Sequence, residues 1–136
     1  MNYVAVAVAS VAEFAVGAIW YMPLFGKQWG KIHGFDKYSK AEQKAMQAKM
    51  GPYYGLQLVV TVMTTIVLAK LILMLPDYSP YALAVMSWFG FVLPTQVSAV
   101  VFGGTKPQWI AKKIYIMAGG ALACLLVAAA ILTAIK

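Results

Sequence analysis

The chain has 136 residues, 62% of them hydrophobic and 11% charged, against about 25% charged in an ordinary soluble domain; a water-soluble fold of this size keeps a polar exterior, so the balance excludes one. The net charge of +7 comes from eleven lysines and no arginine; arginine dominates bidentate contacts to bases and phosphates, so no nucleic-acid partner is expected. Cys124 is the single cysteine, which rules out an intramolecular disulfide and a multi-cysteine metal site.

The expected fold class is an all-α membrane protein, a four-transmembrane-helix bundle forming one domain. The first apolar run covers 3–22 and is stopped by Pro23; its only charge is Glu13. No positive segment precedes it and no small-residue cleavage site follows early, so it reads as retained rather than as a signal peptide. A polar, basic loop spans 23–52. Within it, Ser39-Lys40-Ala41-Glu42 fits a capping box, and the spacing of Ala41, Ala45, Met46, Ala48 and Met50 predicts a short basic helix over 39–50. That helix either lies on the inner leaflet, continues into the next span, or stays solvated. The second run, 53–75, is opened by Pro52 and closed by Pro76, since proline suits a first helical turn and blocks continuation. A short turn, Pro76-Asp77-Tyr78-Ser79-Pro80, leads into the third run, 81–102. Gly103, Gly104 and Pro107 break the chain before the fourth, 114–135. Each run holds roughly 20 residues, the number needed to cross a hydrocarbon core of about 30 Å. None alternates as a barrel strand does.

Aromatic residues collect at the span ends, where tyrosine and tryptophan prefer the headgroup level. Trp20, Tyr21, Trp29 and Trp109 are read as interface anchors, with ligand contact as the alternative for the first three. Trp88 and Phe89 lie deeper. The first loop holds Lys27, Lys31, Lys37, Lys40, Lys44 and Lys49, and the third holds Lys106, Lys112 and Lys113. The opposite side has Lys136, and Lys70 if it snorkels outward. The positive-inside rule then places both lysine loops in the cytoplasm and both termini outside. Lys27, Lys40, Lys44, Lys49 and Lys106 are expected to meet an anionic inner leaflet.

Two segments resemble one another. Phe25-Gly26-Lys27-Gln28-Trp29 follows the first span and Phe102-Gly103-Gly104-Thr105-Lys106-Pro107-Gln108-Trp109 follows the third. Two parallel helical hairpins, as in some transporter repeats, or convergent interface chemistry would each produce this.

Glu13 is the sharpest candidate. An acidic group near mid-membrane costs roughly 2.5–3.5 kcal/mol on insertion scales and is a functional-site hypothesis by default. Proton or cation handling is one reading; a hydrogen-bonded carboxyl that fastens helices together is the other. Glu13 shares a four-residue row with Ala5, Ala9 and Gly17, and small residues let helix backbones approach. Gly120, Cys124 and Ala128 form a similar row in the fourth span, beside Gly119 and Ala123. These rows meet either within one chain or between copies. Gln57, Thr61 and Thr64 or Thr65 form a stripe on the second span, and Gln96 and Ser98 lie in the third. Together they line a polar pathway or hydrogen-bond between helices. Gly90 and Pro94 invite a kink. His33 stands alone in the basic loop.

Nothing here is a catalytic or metal-ligating constellation: no nucleophile with a base, no phosphate-binding glycine loop and no ligand cluster. An enzyme is therefore not expected, nor a cofactor or metal. The functional expectation is a self-associating membrane protein, a homo-oligomer. Its most concrete activity is transport of a small solute or ion with Glu13 as the titratable group. The alternative is a non-catalytic module or accessory subunit binding a protein partner, which the sequence does not name, or anionic lipid.

The segment Gly17-Ala18-Ile19-Trp20-Tyr21-Met22-Pro23-Leu24-Phe25-Gly26-Lys27-Gln28-Trp29 resembles the signature of an uncharacterised family, the bacterial "domain of unknown function" family numbered seventeen-sixty-one. Trp88-Phe89-Gly90-Phe91-Val92-Leu93-Pro94 resembles that family's second signature. The resemblance covers essentially the whole chain. It implies a small bacterial inner-membrane protein with four spans, and it supplies no activity, substrate or catalytic residue. Glu13 lies outside the motif.

Overall fold

A computed structural model describes residues 1–135; Lys136, counted above with the outer-side charges, lies outside the described residues. Four long apolar helices run through it: span 1 (Tyr3–Leu24), span 2 (Gly51–Met74), span 3 (Pro80–Phe102) and span 4 (Pro107–Ala134). No strand occurs among the described residues. At 1.5 Å per residue, the shortest, of 22 residues, reaches roughly 33 Å, enough to cross a hydrocarbon core of about 30 Å. Four such helices make this a multi-pass membrane protein, since each satisfies its own backbone in lipid.

The helix ends follow from local chemistry. Asn2 caps span 1, its side chain accepting from the Ala5 amide at 3.2 Å. Pro52 and Pro80 sit in the first turns of spans 2 and 3, where a missing N–H leaves nothing unsatisfied. Span 4 begins as a 3-10 turn, Pro107–Trp109, before its α-helical body, Ile110–Ala134. The helix thus starts ahead of the apolar run, and Lys112 and Lys113 ride on its first turns.

Span 1 does not stop before Pro23. It passes through the proline as a π-helical turn, Trp20–Leu24. Proline has no N–H to give the carbonyl four residues back and collides with it; a wider turn accommodates both problems. The Phe25 amide closes this turn on the Trp20 carbonyl at 2.9 Å. Span 3 repeats the device. Its π-helical turn, Trp88–Val92, precedes Pro94, and the Leu93 amide closes on the Trp88 carbonyl. The turn at Gly90 is therefore an enlarged helical turn rather than a break.

The first loop is more structured than a polar linker. It holds a helix over Gly26–Ile32, a 3-10 turn over Phe35–Lys37 and a helix over Lys40–Ala48. Gly34 makes the corner between the first two, at a φ of 69° that suits glycine. Ser39 caps the last helix, accepting from the Glu42 amide at 3.2 Å and donating to its carboxylate at 3.0 Å.

Span 4 is the hub. It packs along span 1 on one side and along span 3 on the other, while span 2 packs mainly on span 1. The chain thus forms two hairpins, spans 1–2 and spans 3–4, docked through spans 1 and 4. Ala9, Leu68, Ala84, Leu125, Ala128 and Ala129 form the centre. Small residues on the facing helices allow this close approach, and dispersion contacts hold it, because lipid offers no hydrophobic drive between helices. Span 2 joins the bundle through Thr65, Leu68 and Ala69, so its opposite half, residues 51–60, is exposed throughout.

Candidate functional site

Glu13 lies where spans 1, 2 and 4 meet, and only 4% of it is exposed. Its position follows from the row it occupies: Ala9 and Ala5, one and two turns earlier on the same face, are buried as well. The Thr65 hydroxyl of span 2 hydrogen-bonds the Glu13 carboxyl. The Cys124 thiol of span 4 donates to the Glu13 backbone carbonyl at 3.5 Å. Ser10, one turn away, turns back on its own helix and donates to the Val6 carbonyl at 2.8 Å.

Thr65 is the informative partner. Besides the carboxyl, its oxygen also lies 2.7 Å from the Thr61 carbonyl. A hydroxyl has one proton to give. When it goes to the Thr61 carbonyl, the carboxyl must carry a proton and donate it to Thr65. When Glu13 is ionised, Thr65 turns its proton to the carboxylate and the Thr61 carbonyl loses that bond. The Thr65 hydroxyl is thus free to turn to the Thr61 carbonyl only while Glu13 carries a proton.

From Thr65 a line of polar groups follows span 2 outward. The Thr61 hydroxyl donates to the Gln57 carbonyl at 2.8 Å, and the Gln57 amide nitrogen donates to the Thr61 hydroxyl at 3.4 Å. Thr65 is fully buried, Thr61 half-buried and Gln57 exposed. The line thus leads from a buried carboxyl to the outer face of span 2. Thr64 points elsewhere, donating to the Val60 carbonyl at 3.1 Å.

The remaining polar candidate is not brought to this line. Gln96 sits half-buried on span 3, and its Oε1 is buried with no partner. Ser98 is exposed. The small-residue rows of spans 1 and 4 meet within one chain: Ala9 and Gly120 are buried, and Gly119 and Ala123 half-buried. Gly17 instead has open space beside it. Among the described residues no three His, Cys, Asp or Glu side chains converge. The site's chemistry is that of one carboxyl, hydroxyls and a thiol.

The aromatic groups divide into two sets. The first grips span 4. The Trp20 indole packs against Gly119 and Gly120, where an added Cβ would come within 3.0 and 2.9 Å of the ring, and its N–H donates to the Ile116 carbonyl at 2.8 Å. From the other side, the Trp88 N–H donates to the Ala118 carbonyl at 2.8 Å. Each indole belongs to the residue that opens a π-helical turn. Sequence placed Trp20 at the headgroups by residue type; its indole N–H is spent on span 4. Sequence gave Trp88 no role, although an indole N–H at that depth needs an acceptor.

The second set lies towards the lysine loops. Tyr21 and Trp29 meet edge to face, with centroids 4.8 Å apart. Phe25 lies between Trp20 and Tyr115, at 4.9 and 6.1 Å. Lys113 Nζ sits 5.8 Å above Trp29 and Lys112 Nζ 6.0 Å above Trp109. Lys27, Lys40, Lys44, Lys49 and Lys106 are exposed.

A family model described as "Protein of unknown function (DUF1761)" matches residues 4–133, nearly the whole chain. The chain belongs to that family. No curated protein and no solved structure matches it.

Proposed function

We propose that the protein moves a small polar solute or ion across the membrane as an oligomer, with Glu13 as its titrating group. The observation that carries this reading is the polar line from buried Glu13 through Thr65 and Thr61 to exposed Gln57. A glutamine facing hydrocarbon leaves amide groups unsatisfied, at a cost of several kcal/mol each. Gln57 turns its amide towards Thr61, deeper into the span, rather than back towards the headgroups. A second copy packed against residues 51–60 of span 2 would cover that face and turn the stripe into the wall of a shared path. The centre of one chain, filled by Ala9, Leu68, Ala84 and Leu125, offers no such path. The reading is non-enzymatic, and it sets the lysine loops in the cytoplasm and both termini outside, by the positive-inside rule.

The mechanism assigned to Glu13 is proton exchange with reorientation of the Thr65 hydroxyl, which makes and releases the Thr61 carbonyl facing the path. Proteoliposomes loaded with a pH-sensitive dye test it under an imposed gradient. Glu13→Gln keeps a hydrogen-bonding amide but cannot ionise, so proton-linked flux should vanish while the bundle stays folded. Gln57→Leu should reduce flux and weaken association. Wild-type flux in the Glu13→Gln protein would remove the mechanism, and single-copy photobleaching at every protein-to-lipid ratio would remove the shared path.

A further inference from the structure

Spans 3 and 4 leave a groove between them on the outside of the bundle, with a volume of about 400 Å³. Trp88 and Leu93 of span 3 and Ala111, Ile114, Tyr115 and Leu122 of span 4 line it. Its surface is almost wholly apolar, because the one donor at its floor, the Trp88 N–H, is already held by the Ala118 carbonyl at 2.8 Å. From Ala111 to Leu122 the groove follows span 4 for twelve residues, eleven steps or roughly 16 Å at 1.5 Å per residue. One leaflet's share of a hydrocarbon core of about 30 Å is about 15 Å. The groove thus matches one acyl chain in depth as well as in chemistry.

Its mouth lies at the lysine end. Lys112 follows Ala111 directly, Lys106 stands in the loop just before span 4, and both are exposed. Tyr115, on the groove wall, is 66% exposed. After Asp77 the chain contains no Asp or Glu, so this hairpin supplies no counter-ion for its own lysines. A positive mouth above an apolar trough one leaflet deep complements one class of amphiphile.

We infer that the groove between spans 3 and 4 is a binding site for a single anionic phospholipid of the leaflet that the lysine loops face. One acyl chain lies against Trp88, Leu93, Ile114 and Leu122, and the phosphate meets Lys106 and Lys112. The site is separate from the line through Glu13 and Gln57, which lies on the other hairpin, and it stands whether or not the protein transports anything.

The experiment uses the full-length protein in mild detergent, titrated with phosphatidylglycerol or phosphatidylcholine and read by native mass spectrometry. Wild type should hold one phosphatidylglycerol and discriminate against phosphatidylcholine. Lys106→Gln with Lys112→Gln should lower phosphatidylglycerol affinity roughly thirtyfold, at about 1 kcal/mol per lysine, and leave phosphatidylcholine unaffected. Ala111→Trp, at an exposed position, fills the groove without disturbing the core, so it should abolish binding of both lipids with an unchanged melting curve. Lys40→Gln, Lys44→Gln and Lys49→Gln together, in the first loop, should leave the bound lipid in place. Excess glycerol phosphate should not displace it, because the headgroup alone lacks the chain. Five results would overturn the assignment. These are equal affinity for the two lipids, an unchanged Lys106/Lys112 variant, an equal loss in the first-loop variant, displacement by glycerol phosphate, and an Ala111→Trp protein that changes copy number instead of lipid binding.

Discussion

Replacing Gly120 by alanine tests the grip of span 1 on span 4. The new Cβ would sit 2.9 Å from Trp20 Cδ1 and 3.0 Å from Nε1, inside van der Waals contact. The indole has little room to yield, with its N–H held by the Ile116 carbonyl at 2.8 Å and Phe25 packed 4.9 Å away. Overpacking of this kind costs about 1–3 kcal/mol. Displacing the ring also loses a hydrogen bond worth about 1 kcal/mol. Alanine returns roughly 0.9 kcal/mol of helix propensity over glycine. The net loss is therefore about 1–3 kcal/mol. Gly17→Ala, with nothing within 4 Å of its added Cβ, keeps the propensity gain and should be neutral or stabilising by up to about 0.9 kcal/mol. Reversible unfolding by dodecyl sulfate in mixed micelles, followed by circular dichroism, measures both. In a Trp20→Ala background the penalty should give way to the propensity gain of roughly 0.9 kcal/mol, a coupling of about 2–4 kcal/mol between two residues in contact. The reasoning fails if Gly120→Ala is as stable as Gly17→Ala, or if its cost is the same with and without the indole.

Three further outcomes follow from single contacts. Thr65→Val keeps the shape but removes the hydroxyl that joins Glu13 to span 2; it should cost about 0.6–1.7 kcal/mol, the range for interhelical bonds in membranes, with Thr65→Ser close to wild type in the same unfolding assay. Trp88→Phe removes the N–H donated to the Ala118 carbonyl and should cost about 0.5–1.5 kcal/mol, with a near-ultraviolet dichroism change where the ring contacts span 4. Ser39→Ala removes the cap of the Lys40–Ala48 helix at about 1 kcal/mol; hydrogen exchange should quicken at amides 42–45 while the spans stay protected.

Spans 1 and 3 share a local device. Each carries a tryptophan whose carbonyl closes a π-helical turn next to a proline and whose indole N–H bonds span 4. The Phe-Gly, Lys and Gln-Trp segment follows the first of these turns directly but begins only at the far end of the helix Leu93–Phe102 from the second. Proline supplies the common cause, since both turns sit where an ordinary helix would leave a carbonyl without its N–H.

Sequence by itself determined the number of spans, the prolines that open spans 2 and 3, the place of Glu13 along span 1 and the cap at Ser39. Each of these depends on residues a few positions apart, whose chemistry is the same whatever the rest of the chain does. Only the tertiary structure decided that Trp20 serves span 4, because its acceptor lies 96 residues away and its seat exists only where two glycines face it. It also decided between Thr64 and Thr65, which are adjacent in sequence but about 100° apart around a helix, so that one reaches Glu13 across 52 residues and the other returns to its own backbone. Along a single helix, depth is a matter of counting residues, whereas the direction a side chain takes is fixed by which neighbour the bundle sets against that face.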